Sequence, residues 1–429
     1  MLERSTRVPK KQLTDSLAID ESAPTPSLAG WQATGLCVAA VALTGASGGL
    51  GGLLGAVLFA PVIYALVRLR RHAPGAVSTA GLVGSTLGRR AAALAGGVQI
   101  LAYSALVVTS AQGIALVWLP VEAPSDPFGE LVFSNSLWSL YAVTALVIAG
   151  VLVFALPERV TIGLATALAA GGLLIHFYLG LAIVATILSG GAPDEPHNAA
   201  PPTTGVDAAT ALVVLAVGIA GFEVITTRRR RGTSSGWPMG LAIGIVAVCA
   251  AIVSWAGQLG ANGLGPFDRG DTSLIAEQLY GSTGTTLITA ASTMIVVAGM
   301  LALLWGIIQI VGRLGTAFSP ETVYAGVLAA MVILTVAVTQ LRVQFGYVGG
   351  LLLVTLYAIV LAAFARIPGD SVVTWWLRIV MPVVLVAIDL LPLVDAQFSI
   401  GALIPVVIAA ALVAIAGAVA AVTTRSRAD

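Results

Sequence analysis

About twelve stretches of this chain run for roughly 20 residues with almost no charge, and that repetition limits the fold more than any motif does. In hydrocarbon the backbone N–H and C=O groups have no water to bond, so each run must satisfy itself as a helix. The runs fall at roughly 30–48, 51–69, 91–118, 136–156, 160–189, 208–227, 238–257, 285–312, 322–340, 346–365, 372–392 and 399–422. Connections are mostly short, so nearly the whole protein is expected within the bilayer. Only 10% of the 429 residues are charged, against about 25% in a soluble domain. An all-α membrane protein is therefore expected, with one polytopic transmembrane domain over 29–422.

The segment 1–28 is polar, carries Arg4, Arg7, Lys10 and Lys11, and lacks a short apolar stretch ending in a small-residue cleavage site. It reads as a disordered cytoplasmic tail, and 423–429 as a second, short cytoplasmic tail. The net charge of +1 suggests no nucleic-acid partner. Cys37 and Cys249 both lie inside apolar runs, so neither a disulfide nor a metal ligand is indicated, and no cofactor is.

Orientation follows from the basic residues. With the N-terminus inside, the cytoplasmic side receives the tail, Arg68, Arg70, Arg71, Arg89, Arg90, Arg159, Arg228 to Arg231, Arg313, Arg366, Arg425 and Arg427. Only Arg269 and Arg342 fall outside, and Arg378 lies near the inner end of span eleven. This bias predicts both termini in the cytoplasm and a multi-pass protein of the cytoplasmic membrane. Outer connections are rich in Pro, Gly and Asp, with a short helix expected around 274–280. Trp118, Trp138 and Trp255 fall at outer span ends, and Trp31, Trp237, Trp375 and Trp376 at inner ones, as an interfacial aromatic belt requires.

The sixth run, Gly218-Ile219-Ala220-Gly221-Phe222-Glu223-Val224-Ile225-Thr226-Thr227, combines two glycines, an internal carboxylate and a terminal four-arginine block. The arginines fix its end at the cytoplasmic surface. The glycines allow the helix to open, which at membrane depth is tolerated only beside protein or a water-filled cavity. The first run has a matching interruption at Thr44-Gly45-Ala46-Ser47-Gly48-Gly49. Paired Gly-interrupted spans in the two halves of a chain point to a transporter binding site. No P-loop is present, because the glycine run from Gly48 to Gly55 lacks the Lys-Ser/Thr that would cradle phosphate.

Two regions resemble the amino acid–polyamine–organocation (APC) permeases. His72-Ala73-Pro74-Gly75-Ala76 followed by Leu82-Val83-Gly84-Ser85-Thr86-Leu87-Gly88-Arg89-Arg90 and the span Ala95-Gly96-Gly97-Val98-Gln99-Ile100-Leu101-Ala102-Tyr103 is similar to that family's Pro-x-Gly-Gly … Leu-Gly-x-x-x-Gly region. Ala220-Gly221-Phe222-Glu223-Val224-Ile225 is similar to its Phe-Glu-Gly-Phe-Glu passage. The resemblance implies a LeuT-like 5+5 inverted repeat with two peripheral helices, in which spans one and six are broken at midplane and bind the substrate. Two departures stand out. Only about 26 residues separate Gly49 from Gly75, so the outer half of span one is expected to be very short or absent. The aromatic residues usual after the Pro-x-Gly-Gly turn are replaced by Val77, Ser78 and Thr79.

Candidate site residues follow. Gly45, Ala46, Ser47 and Gly48 could offer free N–H groups to a substrate carboxylate, or they could serve close helix packing through GxxxG pairs. Gly218, Ile219, Ala220 and Gly221 could offer carbonyls to a substrate amine, whose ammonium brings three donors, or could form an ordinary glycine-containing span. Glu223 is a carboxylate inside a span and a candidate proton carrier; its alternative is local pairing with the arginines. His176, with an imidazole that titrates near neutrality, is a second candidate, against a structural role. The resemblance adds Ser292 and Thr293 as oxygen ligands for Na⁺, against hydroxyls bonded back to their own helix.

These features predict a secondary transporter for an amino acid or related amine, working by alternating access and coupled to a proton or to Na⁺. The alternative is a transport-inactive relative acting as sensor, scaffold or complex subunit. A major-facilitator carrier fits poorly, since the loop between spans six and seven is about ten residues and Arg68–Arg90 contains no acid. An enzyme fits poorly too, because no His, Asp, Glu and Cys gather at one depth.

Overall fold

The apolar runs become helices, and the sixth run alone among the described spans departs from α geometry. The computed structural model describes residues 28–45, 51–76, 78–119, 129–191, 220–227, 236–260, 272–312, 319–341, 345–367, 376–385 and 400–425. The elements are α1 Gly30–Gly45, α2 Gly51–His72, α3 Thr79–Leu87, α4 Arg89–Trp118, α5 Gly129–Ala155 and α6 Glu158–Leu188. A 3-10 helix follows at Phe222–Thr227, then α7 Trp237–Gly260, α8 Thr272–Tyr280, α9 Ser282–Val311, α10 Pro320–Leu341, α11 Phe345–Ala365, α12 Trp376–Leu385 and α13 Ile400–Arg425. Among the described residues, seven helices (α4, α5, α6, α7, α9, α10 and α11) are long and apolar enough to cross a membrane. Shorter apolar helices are Gly30–Leu43, Trp376–Leu385 and Val406–Ala421.

Each half repeats one order of lengths. In the first, α2 leads into the nine-residue α3, which turns at Gly88 (φ +85°) into the 30-residue α4. In the second, α7 leads into the nine-residue α8, which turns at Gly281 (φ +60°) into the 30-residue α9. A left-handed φ is cheap only for glycine, which is why glycine stands at both corners. Such a recurrence of one helix order in the two halves is what an internal structural repeat produces. The short helix expected near 274–280 is α8. Its counterpart α3 occupies a passage read only as a motif. Ser78 starts it, its side chain accepting from the Gly81 N–H at 2.9 Å.

In the bilayer the hydrophobic effect does not hold helices together, so close packing between small residues must. Gly172 of α6 leaves room for the Ala291 carbonyl and Ile295 of α9, and Gly299 of α9 faces Leu43 of α1. Gly349 of α11 takes Leu106 of α4. α9 and α11 are the most enclosed of the long helices; α5 and α10 turn Leu140, Ile148, Val151, Phe154, Ile333 and Val336 outward, where lipid is the natural solvent. α1 packs on α6, α7, α9 and the 3-10 helix, and α4 on α3, α5, α9, α11 and α13. The helical interruption in the sixth run therefore lies against α1, deep in the protein.

Candidate functional site

The site grows out of Gly221. Its φ of +102° is a conformation that side chains with a Cβ rarely adopt, and its α-carbon faces the Ala40 carbonyl of α1. Ala220 and Gly221 are not helical, and a tight 3-10 turn starts at Phe222. Such a turn leaves its first N–H groups without intrahelical partners. One of them, on Gly221, donates to the hydroxyl of Tyr357 in α11 at 2.9 Å. The Val224 N–H closes onto the Gly221 carbonyl at 3.1 Å, and the Thr226 hydroxyl donates to the Glu223 carbonyl at 2.6 Å.

Glu223 has no exposed surface. Both of its carboxylate oxygens accept from phenols: Tyr103 of α4 donates to Oε1 at 2.8 Å and Tyr357 to Oε2 at 2.5 Å. The Tyr103 oxygen in turn accepts from Gln99 Nε2 at 2.9 Å. An unbroken chain thus runs Gln99–Tyr103–Glu223–Tyr357–Gly221, joining α4 to the opened sixth span and on to α11. Gly306 of α9 makes space for it, since a Cβ there would come within 2.9 Å of the Tyr103 ring and 3.0 Å of Val224.

Apolar groups seal the chain from solvent. Phe222 stacks on Tyr357 with ring centroids 5.2 Å apart, and Phe59 of α2 meets the Tyr357 ring edge-on at 5.1 Å. Cys37 of α1 donates its thiol to the Phe222 carbonyl at 3.2 Å, and Thr79 of α3 shares a 2.5 Å hydrogen bond with Thr226. A carboxylate in such surroundings is expensive unless it is hydrogen-bonded, protonated or matched by a cation. Two hydroxyl donors meet the first condition, and protonation or a solute cation would meet the others. Among the described residues no group of three His, Cys, Asp or Glu suits a metal ion.

The other expected site residues are distributed as follows. Gly45 is the last residue of α1, while Ala46, Ser47, Gly48, Gly218, Ile219 and Arg228 to Arg231 lie outside the described residues. Ala220 and Gly221 are the non-helical residues that lead into the 3-10 helix. His176 sits in α6 with Nδ1 3.1 Å from the Gly172 carbonyl of its own helix, apart from the Glu223 chain. Thr293 in α9 donates to the Thr289 carbonyl at 2.7 Å and accepts from the Trp118 indole at 3.1 Å, so its hydroxyl is engaged on both sides. Its neighbour Ser292 is partly buried in the same helix. Tyr103, Tyr357, Gln99, Phe59 and Thr79 were not singled out from sequence. The available signal was Gln99 and Tyr103, two hydrogen-bonding side chains one turn apart inside an apolar span.

Fold and site together define an all-α membrane protein of LeuT-like architecture with a hydrogen-bonded carboxylate beside the non-helical Ala220-Gly221. The chain is similar to the crystal structure of MhsT in complex with L-phenylalanine: TM-score 0.52 and 14% sequence identity, over 84% of this chain and 98% of that one. No family model matches the sequence, and no curated protein matches it.

Proposed function

We propose that this chain is a secondary transporter that carries an amino acid or related amine across the cytoplasmic membrane by alternating access, with Glu223 as the proton-coupling group. The observation that carries the reading is the placement of Glu223. It is fully enclosed, bonded through both oxygens, and joined by Tyr357 to the non-helical backbone at Gly221. A proton taken up there changes the bonding of the break, and so can bias one conformation of the carrier over another. The similarity to a transporter structure solved with L-phenylalanine supports the same class of solute. Proton rather than Na⁺ coupling is favoured by Thr293, whose hydroxyl donates to Thr289 and accepts from Trp118, leaving one lone pair for a cation.

The test is uptake of radiolabelled amino acids and amines into proteoliposomes under an imposed pH gradient. Uptake should follow the gradient, persist when choline replaces Na⁺, and be lost in Glu223→Gln. Uptake that ignores the gradient, or that survives the substitution unchanged, would refute the assignment.

A second reading rests on the interval between α1 and α2. Only residues 46–50 separate them, which favours a chain that keeps the fold without transport and serves as sensor or subunit. A thermal-shift panel of amino acids and amines that moves no unfolding midpoint would support this alternative.

A further inference from the structure

Gln99 lies one helical turn from Tyr103 on α4 and has no exposed surface. Its Nε2 is used by the Tyr103 oxygen, but its Oε1 has no hydrogen-bond partner among the described residues. A buried amide carbonyl without a donor is uncommon in folded proteins and asks for an explanation. The vacant acceptor belongs to the same chain of hydrogen bonds that ends on the Glu223 carboxylate.

That chain has a direction. While Glu223 is ionised, donors run from Gln99 N–H to the Tyr103 oxygen and from Tyr103 O–H to Oε1 of Glu223, leaving the amide's carbonyl end vacant. When a proton from solution binds Glu223 at Oε1, the carboxyl becomes a donor and can no longer accept from Tyr103 there. The carboxyl O–H then donates to the Tyr103 oxygen. Tyr103 keeps its own proton and turns it toward Gln99, whose amide must rotate by half a turn to accept it. The free end of Gln99 changes from a carbonyl to an NH₂.

We infer that Gln99 transmits the protonation of Glu223 to the transported solute, offering an acceptor to a primary ammonium when Glu223 is ionised and a repelling donor when it is protonated. The inference rests on the proton-coupled transport reading above and names the residue that would tie the proton to the solute's amine. One proton and one ammonium would then exclude each other. Among the described residues the titratable groups facing Glu223 are Tyr103 of α4, Tyr357 of α11 and Cys37 of α1, which occupies the Phe222 carbonyl. The 3-10 helix also packs on α3, α7 and α9. These carry no acid, lysine, arginine or histidine, and the one cysteine among them, Cys249, donates to the Leu173 carbonyl.

The experiment uses the full chain in lipid nanodiscs, in weakly buffered medium with a pH-indicator dye. Methylammonium chloride is the probe, and tetramethylammonium chloride, a cation with no N–H, is the control. Methylammonium should release up to about one proton per chain near the midpoint of the pH profile, and tetramethylammonium at least fivefold less. Release should fall at least fivefold in Gln99→Met and in Gln99→Leu, and the pH midpoint of uptake should move by about one unit. Equal release by both cations, or a Gln99→Met variant with parental release and pH profile, would overturn the inference. So would a parent chain that releases no protons. If gradient-driven uptake persists in any of these cases, the transporter reading stands and only the role of Gln99 falls. Should neither variant fold, the contrast between the two cations on the parent chain decides.

Discussion

The Tyr357 hydroxyl stands between the Gly221 N–H, from which it accepts, and the Glu223 carboxylate, to which it donates. One phenol in α11 therefore fixes both the opened backbone of the sixth span and the charge that follows it. Removing that hydroxyl leaves a donor and an acceptor unmet in a dry environment. Tyr357→Phe is expected to lower stability by about 1–3 kcal/mol, the usual cost of stranding a buried polar partner. It should reduce uptake more than Tyr103→Phe, which strands Glu223 Oε1 and Gln99 Nε2 but leaves the Gly221 backbone N–H bonded. Unfolding midpoints in detergent and initial uptake rates check the order.

Gly221 tests the break directly. At φ +102° any residue with a Cβ is strained, by about 1–2 kcal/mol for alanine and more for a β-branched side chain. The added atom would also sit 3.4 Å from the Ala40 carbonyl. Gly221→Val should abolish uptake while the purified protein still elutes as a single folded species. Normal uptake by this variant would mean the sixth span need not open.

Gly306 bears on the same site from α9. A side chain there would press on Tyr103 and on Val224. Gly306→Ala is expected to cost about 1–3 kcal/mol through overpacking, and to impair uptake by pushing the Tyr103 ring off Glu223 while every polar side chain of the site is retained. A circular-dichroism melt and the uptake assay together read both effects.

Two substitutions are expected to do little. His176→Gln should leave the pH profile of uptake unchanged, because the ring bonds the Gly172 carbonyl of its own helix. Thr293→Val should leave the response to Na⁺ unchanged for the reason given above. A shifted pH profile in the first, or an altered response to Na⁺ in the second, would restore these residues to the coupling mechanism.

How far the residues foretold the structure depends on the range of the interaction. Runs of about 20 apolar residues announce helices because hydrocarbon leaves the backbone one solution, and the described helix limits fall close to those runs. Ala220-Gly221 announced an interruption because glycine alone accepts the conformation seen there cheaply. The partners of Glu223 could not be read the same way. Tyr103 and Tyr357 lie 120 and 134 positions from it, in helices that look like uniform spans. No local periodicity links them; only the fold brings them to one carboxylate. The expected alternative, pairing of Glu223 with Arg228, lies outside the described residues; within them Glu223 bonds phenols and its own turn. The helix α3 was also missed, because nine residues between two polar turns are too short to stand out by hydropathy.

The enclosure of Glu223 by neutral groups has a consequence for leak. Phenols can stabilise a negative charge but cannot cancel it, so an unladen protein turning through the bilayer would drag that charge through the membrane field. Under the transport reading such empty cycles would be slow and sensitive to voltage, whereas cycles carrying a bound cation would be faster and nearly indifferent to it. Tight stoichiometry would then come from the lack of a counterion among the described residues rather than from any gate.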